Sequence, residues 1–207
     1  MTDHYFSPHP QARHRPGQVR VILPGVYLEL ATDAGMFSPE RLDPGTRLLL
    51  DQTPAPPASG DLLDLGCGYG PIACVLAARS PGATVWAVDV NERALELCAR
   101  NAATAGLANV RCVTPGDPAL PAQFAGIWSN PPIRVGKQAL HELLGHWLGL
   151  LAPGSQAHLV AGRNLGADSL HRWLAEQGWS VTRLAARSGY RVLQVDTMAE
   201  RTAVTPP

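Results

Sequence analysis

The sequence predicts an α/β fold: a doubly wound, mainly parallel sheet that closes on an antiparallel hairpin and is preceded by a small β extension. Three observations carry this. From Asp61 onward, short apolar runs alternate with helical ones, as repeated βαβ units require. The first strand is followed by a glycine-rich turn, Asp64-Leu65-Gly66-Cys67-Gly68-Tyr69-Gly70, that opens a helix. The last two strand-like runs, 179–184 and 190–195, are joined by residues 185–189 alone, whereas a parallel pair needs a crossover of about a dozen residues or more, so this pair is antiparallel.

Taken in order, residues 1–17 carry His4, His9, Arg13, His14 and Arg15 among prolines, a basic arm with little to bury. Residues 20–23 and 26–31 read as strands joined at Pro24-Gly25. Asp43-Pro44 opens a helix, with aspartate as N-cap and proline at the first helical position. The alternating region is then strand 62–65, helix 72–79, strand 84–88, helix 92–105, strand 110–113, strand 124–128, helix 137–151, strand 156–160 and helix 168–177. Residues 1–40 are thus an arm and hairpin extension, and 41–207 a single α/β unit.

Composition narrows the function. With 207 residues and 45% apolar content, one packed domain is expected. Formal net charge is zero, so any nucleic-acid contact must come from local charge. Cys67, Cys74, Cys98 and Cys112 form no C-x-x-C pair and are read as reduced thiols of a cytoplasmic protein. No secretory or membrane segment is legible, and His141 with His146 lacks a metal spacing, so neither a membrane nor a metal is expected.

Ligands of open α/β sheets bind at the carboxyl ends of the strands. The glycine spacing there is G-x-G-x-G, not the G-x-G-x-x-G of dinucleotide folds; no pyrophosphate cradle is needed if the ligand is S-adenosylmethionine, and the competing reading is an ordinary tight turn. Asp89 ends the next strand, where a carboxylate can accept from ribose hydroxyls; the competing reading is an N-cap of the following helix. Asp117 follows the third strand and is either an acceptor for an adenine amine or a turn aspartate.

Ser129-Asn130-Pro131-Pro132-Ile133-Arg134-Val135-Gly136-Lys137 is the most informative stretch. Its prolines end a strand, leaving the Asn130 carboxamide and the Pro131 carbonyl side by side at the carboxyl edge. Each can accept one N–H of a planar amine and turn its lone pair toward a methyl donor, which is positioning and electrostatic preorganisation. Otherwise the motif is only a strand-ending turn. Ile133 leaves base stacking to aliphatic contact or to Phe37, Tyr69 or Trp128. Arg134 and Lys137, the sole lysine, are phosphate contacts or a solvated basic turn.

These residues resemble the small methyltransferase-domain family, in its single-domain branch. The matching stretches are His4-Tyr5-Phe6-Ser7, Thr32-Asp33-Ala34-Gly35-Met36-Phe37-Ser38, Leu42-Asp43-Pro44-Gly45-Thr46, Asp64–Gly70, Asp89-Val90-Asn91 and Ser129–Lys137 with His141-Glu142. The resemblance implies a Rossmann-like class I S-adenosylmethionine-dependent methyltransferase. Its named members, ribosomal RNA small-subunit methyltransferases C, methylate guanine N2 in 16S ribosomal RNA. By similarity, Asp64, Gly66, Cys67, Gly68 and Gly70 surround the methionine part of the cofactor and Thr46 its carboxylate. Asp89 and Val90 take the ribose, Asp117 the adenine, and Asn130, Pro131, Pro132 and Ile133 the target amine. Arg13, Arg15, Arg134 and Lys137 are expected to contact RNA, and ribosomal RNA or the small subunit is the expected partner. Two departures stand out: the longer members' second, degenerate domain has no counterpart here, and Ala125 replaces a usual strand-opening aspartate. Methylation of a glutamine amide in a translation factor, of an adenine or cytosine amine, or non-catalytic RNA binding on the same scaffold are the alternatives.

Overall fold

The computed structural model describes residues 15–33, 38, 40–132 and 135–197. Strands β1 (Gly17–Leu23) and β2 (Val26–Thr32) form an antiparallel hairpin turning at Pro24-Gly25. Strict alternation puts Val19, Val21, Leu23, Val26, Leu28 and Leu30 on its inner face and leaves Arg20, Ile22, Tyr27 and Glu29 outside. That inner row joins the core of helices α1 (Pro44–Gln52), α2 (Pro71–Arg79) and α3 (Glu92–Thr104).

The main sheet comprises β3 (Ser59–Leu65), β4 (Gly82–Val88), β5 (Val110–Val113), β6 (Phe124–Ser129), β7 (Leu151–Gly162), β8 (Ser180–Arg187) and β9 (Tyr190–Asp196). Its order is β5-β4-β3-β6-β7-β9-β8, with β5 to β7 parallel and β9 antiparallel to both β7 and β8. The reversal of strand order beside β3 creates a crevice between β3 and β6 at their carboxyl ends, the place such sheets bind ligands. A second core, on the opposite face, packs α4 (Lys137–Leu148) and α5 (Ala167–Glu176) against the sheet.

The expected elements are present, with boundaries displaced at α4, β7 and β8; β8 runs to Arg187, so residues 185–187, expected in the connection, pair with β9 and the turn is Ser188-Gly189 alone. Helix α4 ends at Leu148, not 151, because Phe124 N donates to Leu150 O at 2.7 Å and Leu151 pairs with Phe124, drawing these leucines into the sheet. Strand β7 therefore starts well before residue 156, with a register irregularity between Phe124 and Gly126. A single 3-10 turn, Arg163–Leu165, connects β7 to α5.

Candidate active site

The glycine turn owes its shape to contacts with the end of β4. Gly66 N and Cys67 N both donate to Val88 O, at 2.8 and 3.1 Å, and Gly68 N donates to Asp89 Oδ2 at 2.9 Å. Gly66 has φ of 76° and an added Cβ would meet nothing within 4 Å, so open space faces the backbone there. Gly70 is required for the opposite reason: at φ of 90°, its Cβ would lie 2.4 Å from Cys98 Sγ. Cys67 is buried in the turn, its thiol donating to Gly68 O at 3.6 Å.

Asp64 and Asp89 have unlike surroundings. Asp64 is fully buried; its Oδ2 accepts from Ala73 N at 2.8 Å, while Oδ1 has no hydrogen-bond partner among the described residues. Burial pushes its carboxyl up to about 8, and the Asp89 charge pushes the same way. A buried carboxylate oxygen without a partner fits a cationic group such as an ammonium. Asp89 is also raised by burial, but backbone N–H groups of Asn91 and Gly68 offset this. Asn91, not Asp89, caps α3, its side chain accepting from Ala94 N at 3.2 Å. Asp89 thus holds the glycine turn, beside an exposed Val90. Asp117 accepts from Ala119 N at 2.8 Å, closing its own turn.

Leu65 of β3 is in register with Ser129 of β6, so Asn130 adjoins Gly66 at the sheet edge. Ser129 donates to Leu65 O at 2.7 Å, tying the two strand ends together. The Asn130 amide nitrogen donates to Asp43 Oδ2 at 2.9 Å and to Thr46 Oγ1 at 3.0 Å. Because a carboxylate only accepts, the NH₂ end must face Asp43, which leaves the carboxamide oxygen as the other end. Asp43 is itself the buried N-cap of α1, accepting from Thr46 N at 2.8 Å. The Tyr190 ring crowds Gly45, where an added Cβ would lie 2.6 Å from it.

Asp43, Tyr190 and Asn101 are the participants that sequence reasoning did not single out as site residues. Asn101 bonds both Ala31 of the hairpin and Tyr69 O of the glycine turn, with distances of 2.8 to 2.9 Å. Of the stacking candidates, Trp128 is buried, its ring stacked on His158 at 5.1 Å, and Tyr69 lies in the core, so neither presents an open face; Phe37 lies outside the described residues. Ile133, Arg134 and Arg13 also lie outside them. Pro131 and Pro132 follow Asn130, with Val135 N donating to Pro132 O at 3.1 Å. Lys137 is exposed at the start of α4. Arg15 is tied in by its backbone N–H, which donates to Asp33 at 2.6 Å. His141 stacks on Trp173 with centroids 3.9 Å apart, joining α4 to α5, and Glu142 accepts from Gln138 on the surface. No group that could hold a metal ion occurs among the described residues.

Residues 27–194 match the family described as Methyltransferase small domain. An uncharacterized protein of Bacillus subtilis (strain 168), YbxB, is 33% identical over 94% of this chain and 98% of its own length. The ribosomal RNA small subunit methyltransferase C of Pseudomonas aeruginosa (strain UCBPP-PA14) is 38% identical over 65% of this chain but only 41% of its own length. The chain therefore spans about half or less of the methyltransferase C relatives. Among solved structures, the T. thermophilus 16S rRNA N2 methyltransferase (RsmC), determined with AdoMet and guanosine, has a TM-score of 0.73 and 25% identity, covering 91% of this chain and 52% of that one. A glycine turn, the carboxylates at successive strand ends and the Asn-Pro-Pro edge thus lie within a matched region that takes in most of the chain, which belongs to the small methyltransferase-domain family.

Proposed function

We propose that the protein is an S-adenosylmethionine-dependent methyltransferase acting on the exocyclic N2 amine of a guanine in 16S ribosomal RNA. The observation that carries the reading is the Asn130 amide, held by its nitrogen to Asp43 and Thr46 so that its oxygen is the end available to an incoming amine.

Asp64, Gly66, Cys67, Gly68, Gly70, Asp89, Val90 and Asp117 are the residues that would hold the cofactor. Their environment fits it: the unpartnered Asp64 Oδ1 suits an ammonium and the space before Gly66 suits a close ligand. Thr46 accepts from Asn130, which leaves its own hydroxyl proton to donate toward a carboxylate. Bound S-adenosylmethionine supplies an electrophilic sulfonium methyl. The chain's own contribution is to orient the acceptor: Asn130 Oδ1 and the Pro131 carbonyl each take one N–H, turning the lone pair out of conjugation with the ring. No strongly basic side chain is needed, because the methylated amine is acidic and releases its proton to solvent. The base must leave its stack to reach this edge, and Lys137 and Arg134, with the Arg13 and Arg15 arm, supply charge for the backbone.

The guanine assignment follows the names of the relatives. The test is incubation with methyl-labelled S-adenosylmethionine and either small ribosomal subunits, 16S ribosomal RNA or a protein extract. Label recovered as N2-methylguanosine supports the reading; label confined to protein, as a methylated glutamine amide would give, overturns it.

A further inference from the structure

An open cavity of about 410 Å³ lies between α5 and the two outermost strands, away from the glycine turn. It is lined by Asp168, His171 and Arg172 of α5, Arg183 of β8 and Arg191 of β9. Spacings of three and four residues put the three helical groups on one face of α5. Arg183 is in register with Leu193, which packs in the α4–α5 core, and Arg191 precedes Leu193 by two, so both arginines point to the α5 side of the sheet.

Three guanidinium groups against one carboxylate leave the cavity with a net charge of +2 in a protein whose formal charge is zero. The single carboxylate is shared and loosely engaged: Asp168 Oδ1 lies 3.7 Å from Arg183 Nη2 and 3.6 Å from Arg191 Nε. Arg191 is largely buried, and its Nε has no hydrogen-bond partner among the described residues. Leaving a buried guanidinium N–H unsatisfied is costly, and an anion entering the cavity would relieve it. The position is also informative. Arg191 pairs with Ala161 near the carboxyl end of β7, and β9 is two strands from β6, about 10 Å at the usual strand spacing, on the same sheet edge as Asn130.

We infer that this groove is a second RNA contact, in which Arg172, Arg183 and Arg191 take the phosphodiester backbone of the strand whose guanine enters the Asn130 site. The inference rests on the RNA reading above and deepens it. Guanidinium forks match phosphate oxygens bidentately, and such contacts orient a nucleic acid without reading its sequence.

The test is the salt dependence of binding to fluorescein-labelled single-stranded RNA. Each phosphate contact contributes about 0.7 to the slope of log K against log salt on a single strand, so replacing all three arginines with glutamine flattens the slope by about 2. Arg172→Gln with Arg183→Gln, which leaves the buried Arg191 in place, flattens it by about 1.4 and guards against misfolding of the triple variant. Both variants should retain the native cofactor affinity by calorimetry and the native kcat at saturating RNA, with KM for RNA raised. If the native protein binds RNA and the variants keep its slope, the groove inference fails alone. Should the native protein bind no RNA, the RNA reading fails and the groove with it.

Discussion

Replacing Asp43 with serine separates two jobs that one carboxylate oxygen performs. Oδ2 accepts from Thr46 N at 2.8 Å, which caps α1, and from Asn130 Nδ2 at 2.9 Å, which orients the amide. Serine ranks with aspartate as an N-cap, so the first job survives; its hydroxyl is too short to do the second as well. A hydrogen bond to a charged group is worth about 1.5–3 kcal/mol. Thr46 Oγ1, the remaining partner, can donate as well as accept and does not distinguish the two ends of the amide. At about 1.36 kcal/mol per decade, losing that orientation energy in the transition state lowers kcat roughly 10- to 100-fold. Removing the acceptor itself, Asn130→Ala, sets the ceiling at about 10²–10³. Single-turnover methyl transfer with RNA and cofactor saturating is the assay, with calorimetric cofactor affinity and Tm alongside. Asp43→Ser should keep the cofactor affinity and the fold, with Tm lower by the few degrees that one lost hydrogen bond costs, and Asp43→Asn, which retains an acceptor, should lose less activity than serine. Native kcat in Asp43→Ser, with Asn130→Ala inactive, would refute the orienting role.

Other expectations follow from buried groups. Asp64→Asn should have two opposite effects: weaker S-adenosylmethionine binding, and apo stability that gains on the native protein as pH rises. The folded-state value of about 8 lies above the ordinary 3.8, so the native protein's proton-linked stability is full below pH 4 and is lost toward pH 8; Tm measured from pH 4 to 8.5 should diverge in that direction, and parallel curves would count against it. His158 is the reverse case: burial lowers it to about 4, so the unfolded chain protonates first and stability declines as pH falls from 6.5 to 4, by about 3 kcal/mol. His158→Phe keeps the ring stacked on Trp128 and should flatten that acid limb in denaturant titrations, whereas an unchanged limb would assign it elsewhere. Gly70→Ala combines a left-handed backbone with a Cβ 2.4 Å from Cys98 Sγ and should cost about 2–5 kcal/mol; a native Tm would show that the turn yields freely.

Local signals were the legible part of this chain. The Asp43-Pro44 helix start, the Asp64–Gly70 turn and the alternating strands each depend on residues close in sequence, and the shortness of the last connection made the final hairpin antiparallel, although its turn is shorter than expected because residues 185–187 join β8. What could not be read was long-range sharing of a side chain. Asp43 looked like a finished N-cap, and nothing in its neighbourhood announces a partner at Asn130, far along the chain. Trp128 looked available for stacking because strand periodicity does not say which face is covered, and the core histidine that covers it comes from β7. The α4 boundary was misplaced because helix propensity in Leu150 and Leu151 yields to pairing with Phe124, a tertiary contact. The arginines of the α5–β9 groove are scattered over three elements and form no motif in the sequence.

The most direct test of the account is mass spectrometry of 16S ribosomal RNA after incubation with S-adenosylmethionine and either the native protein or Asn130→Ala. N2-methylguanosine is expected at a defined site with the native protein and is nearly lost with the variant, while both bind the cofactor equally. Undiminished N2-methylguanosine from Asn130→Ala, or methyl groups found on another nitrogen of the RNA, would contradict it.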